Sequence, residues 1–227
     1  MKTDFHISHA HKVVGMHGNL PFWISMIQAS QKVIAPDTPK TVLDFGSREG
    51  KFLPVFALMD DLAEGVGVEI DSDHLHAAQE AYQNEHIRYR HYDDLSQYES
   101  HFDVAYSQET LYTLPDLAQH ANEIMRALKP GGYYFATMGS HLENPLWPHR
   151  RRVIRAEEDY PVYDYSLEEV ADVFFAAGFE VGLKRLPVEY FLIYNPEVTK
   201  SFSRSYSDLV ETSYRNKMFF LFYKDEK

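Results

Sequence analysis

Thr41-Val-Leu-Asp-Phe-Gly-Ser-Arg-Glu-Gly50 is the stretch whose reading decides the fold. Its first five residues form a short apolar, partly β-branched run, which reads as a buried strand. Gly46 to Gly50 then make a tight turn into an amphipathic segment carrying Phe52, Leu53 and Phe56. The order is strand, glycine turn, helix. Asp44 closes the strand, and the glycines let the backbone approach a ligand at the start of a helix. Taken alone, Asp44 is equally a carboxylate that caps its own turn.

The pattern repeats on both sides. Gly67 to Ile70 reads as the next strand, Asp71 or Ser72 caps a helix through about Gln83, and Ile87 to Tyr92 gives a third strand. Phe102 to Ser107 supplies the fourth. Leu117, Ala121, Ile124, Met125 and Leu128 recur at helical spacing, Lys129-Pro-Gly-Gly132 ends that helix, and Tyr133 to Met138 follows as strand five. Ser166 with Glu169 makes a capping box ahead of the stripe Leu167, Val170, Ala171 and Phe174, which Gly178 closes. Strands six and seven fall near Glu180 to Leu186 and Lys217 to Tyr223. Upstream, Asn19-Leu-Pro21 caps a helix running to about Ile34, with Trp23, Met26, Ile27 and Ile34 facing the sheet. Strands alternating with helices imply an α/β domain with a mainly parallel sheet, right-handed crossovers and a ligand site beyond the carboxyl ends of the strands.

Glu69 stands at the end of the second strand, 19 positions after Gly50, where a carboxylate can accept hydrogen bonds from two ribose hydroxyls. Asp44, the turn and Glu69 together describe a nucleoside site. The dinucleotide fingerprint wants glycine at the first, third and sixth positions of the turn, and here those are Gly46, Arg48 and Lys51. Two of three fail, so nicotinamide is disfavoured. No Gly-Lys-Ser/Thr follows a glycine-rich turn, so triphosphate chemistry is disfavoured as well.

Over about residues 40 to 184 the sequence resembles the class I S-adenosylmethionine-dependent methyltransferases. Val42-Leu-Asp-Phe-Gly-Ser-Arg-Glu-Gly50, Gly67-Val-Glu-Ile-Asp71, Asp93-Asp94-Leu95, Phe102-Asp-Val-Ala-Tyr-Ser107 and Leu128-Lys-Pro-Gly-Gly132 are similar to the family motifs and stand in the family order. The resemblance implies a single-domain, Rossmann-like, seven-stranded sheet, mostly parallel with an antiparallel last strand and helices on both faces. It implies S-adenosylmethionine as cofactor. Asp44, Gly46, Ser47 and Gly50 would border its methionine half, Glu69 would hold the ribose, and Ile70 would pack on the adenine. Asp93 or Asp94 would accept from the adenine amino group, Leu95 would touch the ring, and Ser107 with Gln108 would line the cofactor at the fourth strand. Arg48 replaces the small residue usual in the family turn.

Methyl transfer is an in-line displacement whose main demand is alignment in a dry pocket. An acceptor that must lose a proton needs a base, for which Tyr112 and then His141 are the candidates. The acceptor site is expected outside the sheet, from a helical cap over residues 1–40 and from insertions near 141–165 and 188–215 in the domain that spans 41–227. Those parts carry Phe22, Trp23, Trp147, Tyr160, Tyr163, Tyr165, Tyr190 and Tyr194, whose faces favour a sulfonium charge.

Composition narrows the partners. The formal charge of −12 argues against nucleic acid, and the run His149-Arg150-Arg151-Arg152 with Arg155 reads as a solvated helix face offset by Glu157, Glu158 and Asp159. There are no cysteines, and His6, His9, His11 and His17 match no ligand spacing, so no metal is expected. No run approaches the ~20 apolar residues of a membrane span, and the N-terminus lacks the apolar core of a signal peptide, so a cytoplasmic protein is expected. A small-molecule acceptor is the first expectation; a catalytically silent cofactor-binding regulator and a protein methyltransferase are the alternatives. Oligomeric state is not encoded in any pattern found.

Overall fold

The computed structural model describes residues 5–35, 38–192, 196 and 203–226. Seven strands, β1 (Lys40–Phe45), β2 (Leu62–Glu69), β3 (Ile87–His91), β4 (Phe102–Gln108), β5 (Leu128–Met138), β6 (Glu180–Arg185) and β7 (Met218–Tyr223), form one sheet in the order β3-β2-β1-β4-β5-β7-β6. The first five strands run parallel, and β7 is antiparallel to both β5 and β6. The helices are α1 (Ile7–Val14), α2 (Leu20–Ser30), α3 (Phe52–Met59), α4 (Ser72–Tyr82), α5 (Leu117–Ala127), α6 (Trp147–Glu157), α7 (Leu167–Ala176) and α8 (Tyr206–Arg215). None of them, among the described residues, is long and apolar enough to cross a membrane.

The period-two alternation of the strands sorts their side chains into two cores. Leu43 and Phe45 of β1, Tyr134 and Ala136 of β5, and Phe220 and Phe222 of β7 join α5 and α7 on one face. Val42, Val104, Tyr106, Phe135 and Phe219 meet α1, α2 and α3 on the other. Each large side chain buried this way contributes about 1.5–3 kcal/mol. The helix starts are fixed locally: Asp71 accepts from the N–H groups of Asp73 and His74, and Ser166 and Glu169 form the reciprocal capping box.

Three boundaries in particular differ from the sequence reading. Lys129-Pro-Gly-Gly132 is the bulged start of β5 and not a turn before it: Phe102 pairs with Leu128 and Val104 with Tyr133, so the extra residues of β5 loop out around Gly131 at φ 77°. The backbone near Lys224 holds that bulge, donating to Gly132 and accepting from Gly131. β2 begins at Leu62, because Leu62 to Gly65 pair with the start of β1 although Ala63-Glu-Gly65 carries no strand signal. α2 stops at Ser30, whose hydroxyl is 2.6 Å from the Tyr106 phenol, and the chain turns before Ile34. Asn19 precedes α2 without a side-chain capping bond, and α1 and α8 carried no recognised start signal. Tyr194 lies outside the described residues.

Candidate active site

Asp44 and Glu69 emerge at the tips of the neighbouring strands β1 and β2, where Asp44 is in register with Gly67. Asp44 is 5% exposed and its Oδ2 has no hydrogen-bond partner among the described residues. Burial first, and the Glu69 charge second, push its carboxyl up to about 8. Glu69 is also buried but well supplied with donors: the N–H of Arg48 reaches Oε2 at 2.7 Å, and those of Ile70 and Asp71 reach Oε1 at 2.9 and 3.0 Å. A carboxylate has about four acceptor positions, so one on Oε2 is left for a ribose hydroxyl.

The turn between them is shaped by its left-handed residues. Arg48, at φ 45°, aims its N–H at Glu69. Gly46 and Gly50 lie at φ 77° and 75°, and the space a side chain would need is already filled by the protein. A Cβ on Gly46 would fall 2.6 Å from Thr110 Oγ1, and one on Gly50 2.6 Å from the Tyr89 ring and 2.7 Å from Ala78. These glycines therefore admit neighbouring side chains, where the sequence pointed to close approach of a ligand. Gly50→Ala is expected to cost about 3 kcal/mol, from the left-handed backbone and overpacking together, and thermal denaturation measures it.

The remaining cofactor candidates line the same row of strand tips. Ile70 is 69% exposed beside Glu69, a large apolar side chain uncovered by the described residues. Asp93 and Asp94 open the short turn Tyr92–Gln97 after β3; Asp93 lies in solvent, 3.2 Å from His91 Nδ1, and Asp94 accepts from Gln97. Leu95 is packed into the core, so its side chain is committed and its backbone alone is available to an adenine ring. At the tip of β4, Ser107 Oγ and Gln108 Oε1 are buried without hydrogen-bond partners among the described residues, as is Ser47 Oγ in the turn.

The two base candidates are placed differently. Tyr112 is buried against Trp147, its hydroxyl paired with that of Tyr160, and burial raises its phenol well above the ordinary value. It is a hydrogen-bond donor at neutral pH, a poor proton acceptor. His141 spends both ring nitrogens inside the protein, Nδ1 at 3.1 Å from Glu143 and Nε2 at 2.8 Å from the Asn216 carbonyl. Neither nitrogen is turned toward an acceptor, so its role is to tie the segment after β5 to the start of β7.

A charged cluster at the tips of β4, β5 and β7 escaped the sequence reading. Glu109 accepts from Lys217 Nζ at 2.8 Å, from Gly139 N at 2.7 Å and from Ser140 Oγ at 3.3 Å. Burial would raise its carboxyl, but Lys217, Arg150 and the Gly139 N–H outweigh burial and hold it below the usual range. Lys217 is almost fully buried and lies 4.4 Å from the Phe22 ring centroid, which joins α2 to the cluster. Arg150 belongs to this buried group and not to a uniformly solvated face; Arg151 instead pairs with Asp164. The available signal was a lysine placed directly before the aromatic-rich strand β7 and a glutamate directly after β4.

Residues 43–136 match a family model described as a methyltransferase domain. That match spans β1 to most of β5, so this part of the chain carries a methyltransferase domain. S-adenosylmethionine is the cofactor of this methyltransferase. The sequence has no match among curated proteins. Among solved structures it is similar to a chain of the complex between the Haloferax volcanii Trm112 methyltransferase activator and a methyltransferase (18% identity, 92% of each chain covered, TM-score 0.71). An S-adenosylmethionine-dependent methyltransferase from Mesorhizobium loti is also similar (14%, 92% of this chain and 98% of that one, 0.65). So is Haemonchus contortus phosphoethanolamine N-methyltransferase 2, solved with S-adenosyl-L-methionine (17%, 99% and 61%, 0.65). At these identities the likeness is one of fold. The methyltransferase's own residues fit the cofactor: a row of buried orphan acceptors and hydroxyls at Asp44, Ser47, Ser107 and Gln108 lies beside an uncovered Ile70.

Proposed function

We propose that this methyltransferase transfers a methyl group to a small molecule bound over the tips of β4, β5 and β7. The observation that carries the reading is the buried carboxyl of Asp44, whose Oδ2 has no partner among the described residues, one strand away from the cradled carboxylate of Glu69. Asp44 would take the cofactor's ammonium and Glu69 a ribose hydroxyl, which orients the molecule along the strand tips. Asp93 or Asp94 and Ile70 would meet the adenine. Held by Asp44, Glu69 and Ile70, the cofactor would supply an electrophilic sulfonium methyl group to the acceptor's lone pair, with S-adenosylhomocysteine as the leaving group. With the Tyr112 hydroxyl pushed toward its protonated form and both His141 nitrogens engaged, these residues position the pocket wall and do not abstract the acceptor's proton.

Labelled cofactor incubated with a metabolite extract tests the reading: a labelled small product and S-adenosylhomocysteine are expected. A labelled polypeptide instead would make it a protein methyltransferase, and tight cofactor binding without turnover a silent regulator. Glu69→Ala is expected to weaken cofactor binding by about 1–3 kcal/mol, roughly 5- to 150-fold, by calorimetry. It also strands the N–H groups of Arg48, Ile70 and Asp71, so the melting temperature falls with it. Affinity that stays put would move the ribose elsewhere.

A further inference from the structure

The tips of β3, β2, β1 and β4 carry the cofactor candidates, which leaves the tips of β5 and β7 for the acceptor. What stands there is an excess of positive charge. Glu109 is matched by Lys217, and Arg150 remains: among the described residues no carboxylate lies within ion-pair reach of its guanidinium, and its Nε is buried with no hydrogen-bond partner. Its position is fixed by the fold. The first turn of α6 sets it beside Gly139 at the exit of β5, where the point a Cβ would occupy is 3.5 Å from Arg150 Nη1 and 3.5 Å from Glu109 Oε1. Glu109 takes Lys217 and Gly139 N on Oε1 and Ser140 Oγ on Oε2, and it forms no ion pair with the guanidinium.

Arg150 thus stands without an ion-pair partner among the described residues at the mouth of the acceptor half, in a chain whose formal charge is −12. A partly buried cation without a counter-ion is costly to hold, and the planar fork of arginine matches an oxyanion through two parallel hydrogen bonds.

We infer that the acceptor is an anion, a small molecule bearing a carboxylate or phosphate group that docks on Arg150. The inference rests on the methyltransferase reading above and names the substrate class for it. It also assigns the first arginine of the 149–152 run a specificity role, where the sequence suggested a solvated helix face.

The test separates the inference from the reading beneath it. Protein saturated with S-adenosylhomocysteine is titrated with phenylacetate, phenyl phosphate and the neutral phenylacetamide, following calorimetric affinity and thermal shift. At least one of the two anions is expected to bind about tenfold or more tighter than the amide, and which one does so decides between carboxylate and phosphate. Arg150→Gln should erase that preference while leaving S-adenosylhomocysteine affinity unchanged; Arg150→Lys, which keeps the charge but not the fork, should retain part of it and serves if the glutamine variant does not fold. Equal binding of amide and anions, or an anion preference that survives Arg150→Gln, overturns the inference and leaves the methyltransferase reading standing. Loss of S-adenosylhomocysteine binding in Arg150→Gln overturns it too, because Arg150 would then hold the cofactor's own carboxylate. Failure of the unaltered protein to bind S-adenosylhomocysteine at all removes both.

Discussion

Asp44→Asn is expected to stabilise the empty protein while it weakens cofactor binding about 100-fold. The carboxyl is buried, lacks a partner on Oδ2 and sits beside Glu69, so its folded-state value of about 8 lies far above that of an unfolded aspartate. The sign follows from proton counting. Between about pH 4 and pH 8 the folded chain holds a proton on Asp44 that the unfolded chain has lost, so this group's contribution to stability is fully present below pH 4 and is lost as pH rises through 8. Asparagine has no such dependence. The melting-temperature advantage of Asp44→Asn should therefore widen from pH 5 to pH 8, reaching several degrees if ~2 kcal/mol is recovered in a chain of this size. Cofactor binding runs the other way, because an ammonium placed on Asp44 draws its value down and expels the proton. Calorimetry of the unaltered protein at pH 7 in two buffers of different ionisation enthalpy should show close to one proton released per cofactor bound. A variant with the same stability profile as the unaltered protein, or binding without proton release, would leave Asp44 out of the cofactor site.

This pairing of instability with function marks where the sequence was legible and where it was not. Strand-ending Asp44 and Glu69, the turn between them and the parallel order were readable, because each depends on local chemistry: a short apolar run, a carboxylate, glycines at left-handed positions. The capping box at Ser166 was readable for the same reason. The sequence did not show what fills the space around the glycines, since Tyr89 lies 39 positions from Gly50 and meets it through a strand pairing that no local pattern contains. Nor did it show that Leu95 is spent on the core or that His141 is tied to Asn216, contacts made across the sheet. The Lys129–Gly132 bulge was read as a turn because proline and glycine signal both, and only the arrival of Lys224 decides between them. Glu109 and Lys217 are 108 positions apart, and neither has a sequence neighbour that announces the other.

That pair sets the largest loss of stability expected from a single change. Lys217→Met removes one partner of an ion pair in which both side chains are at most 14% exposed, and it leaves Glu109 with Gly139 N and Ser140 Oγ alone. Breaking a buried pair in this way costs about 3–5 kcal/mol, enough to lower the melting temperature by roughly 10 °C. The loss depends on pH with a definite sign. Without the lysine, only Arg150 and the Gly139 N–H still oppose burial, so the Glu109 carboxyl rises and the variant's deficit grows as pH climbs through its titration. In the unaltered protein the same carboxyl is held low, and the deficit is absent. Glu109→Gln with Lys217→Met should recover part of the loss, because the stranded charge disappears with its partner, and urea denaturation of all four species gives the coupling directly. Additive effects would mean that the two charges are hydrated separately. The cluster would then not be the rigid joint among α2, β4, β5 and β7 on which the placement of Arg150 at the acceptor mouth depends.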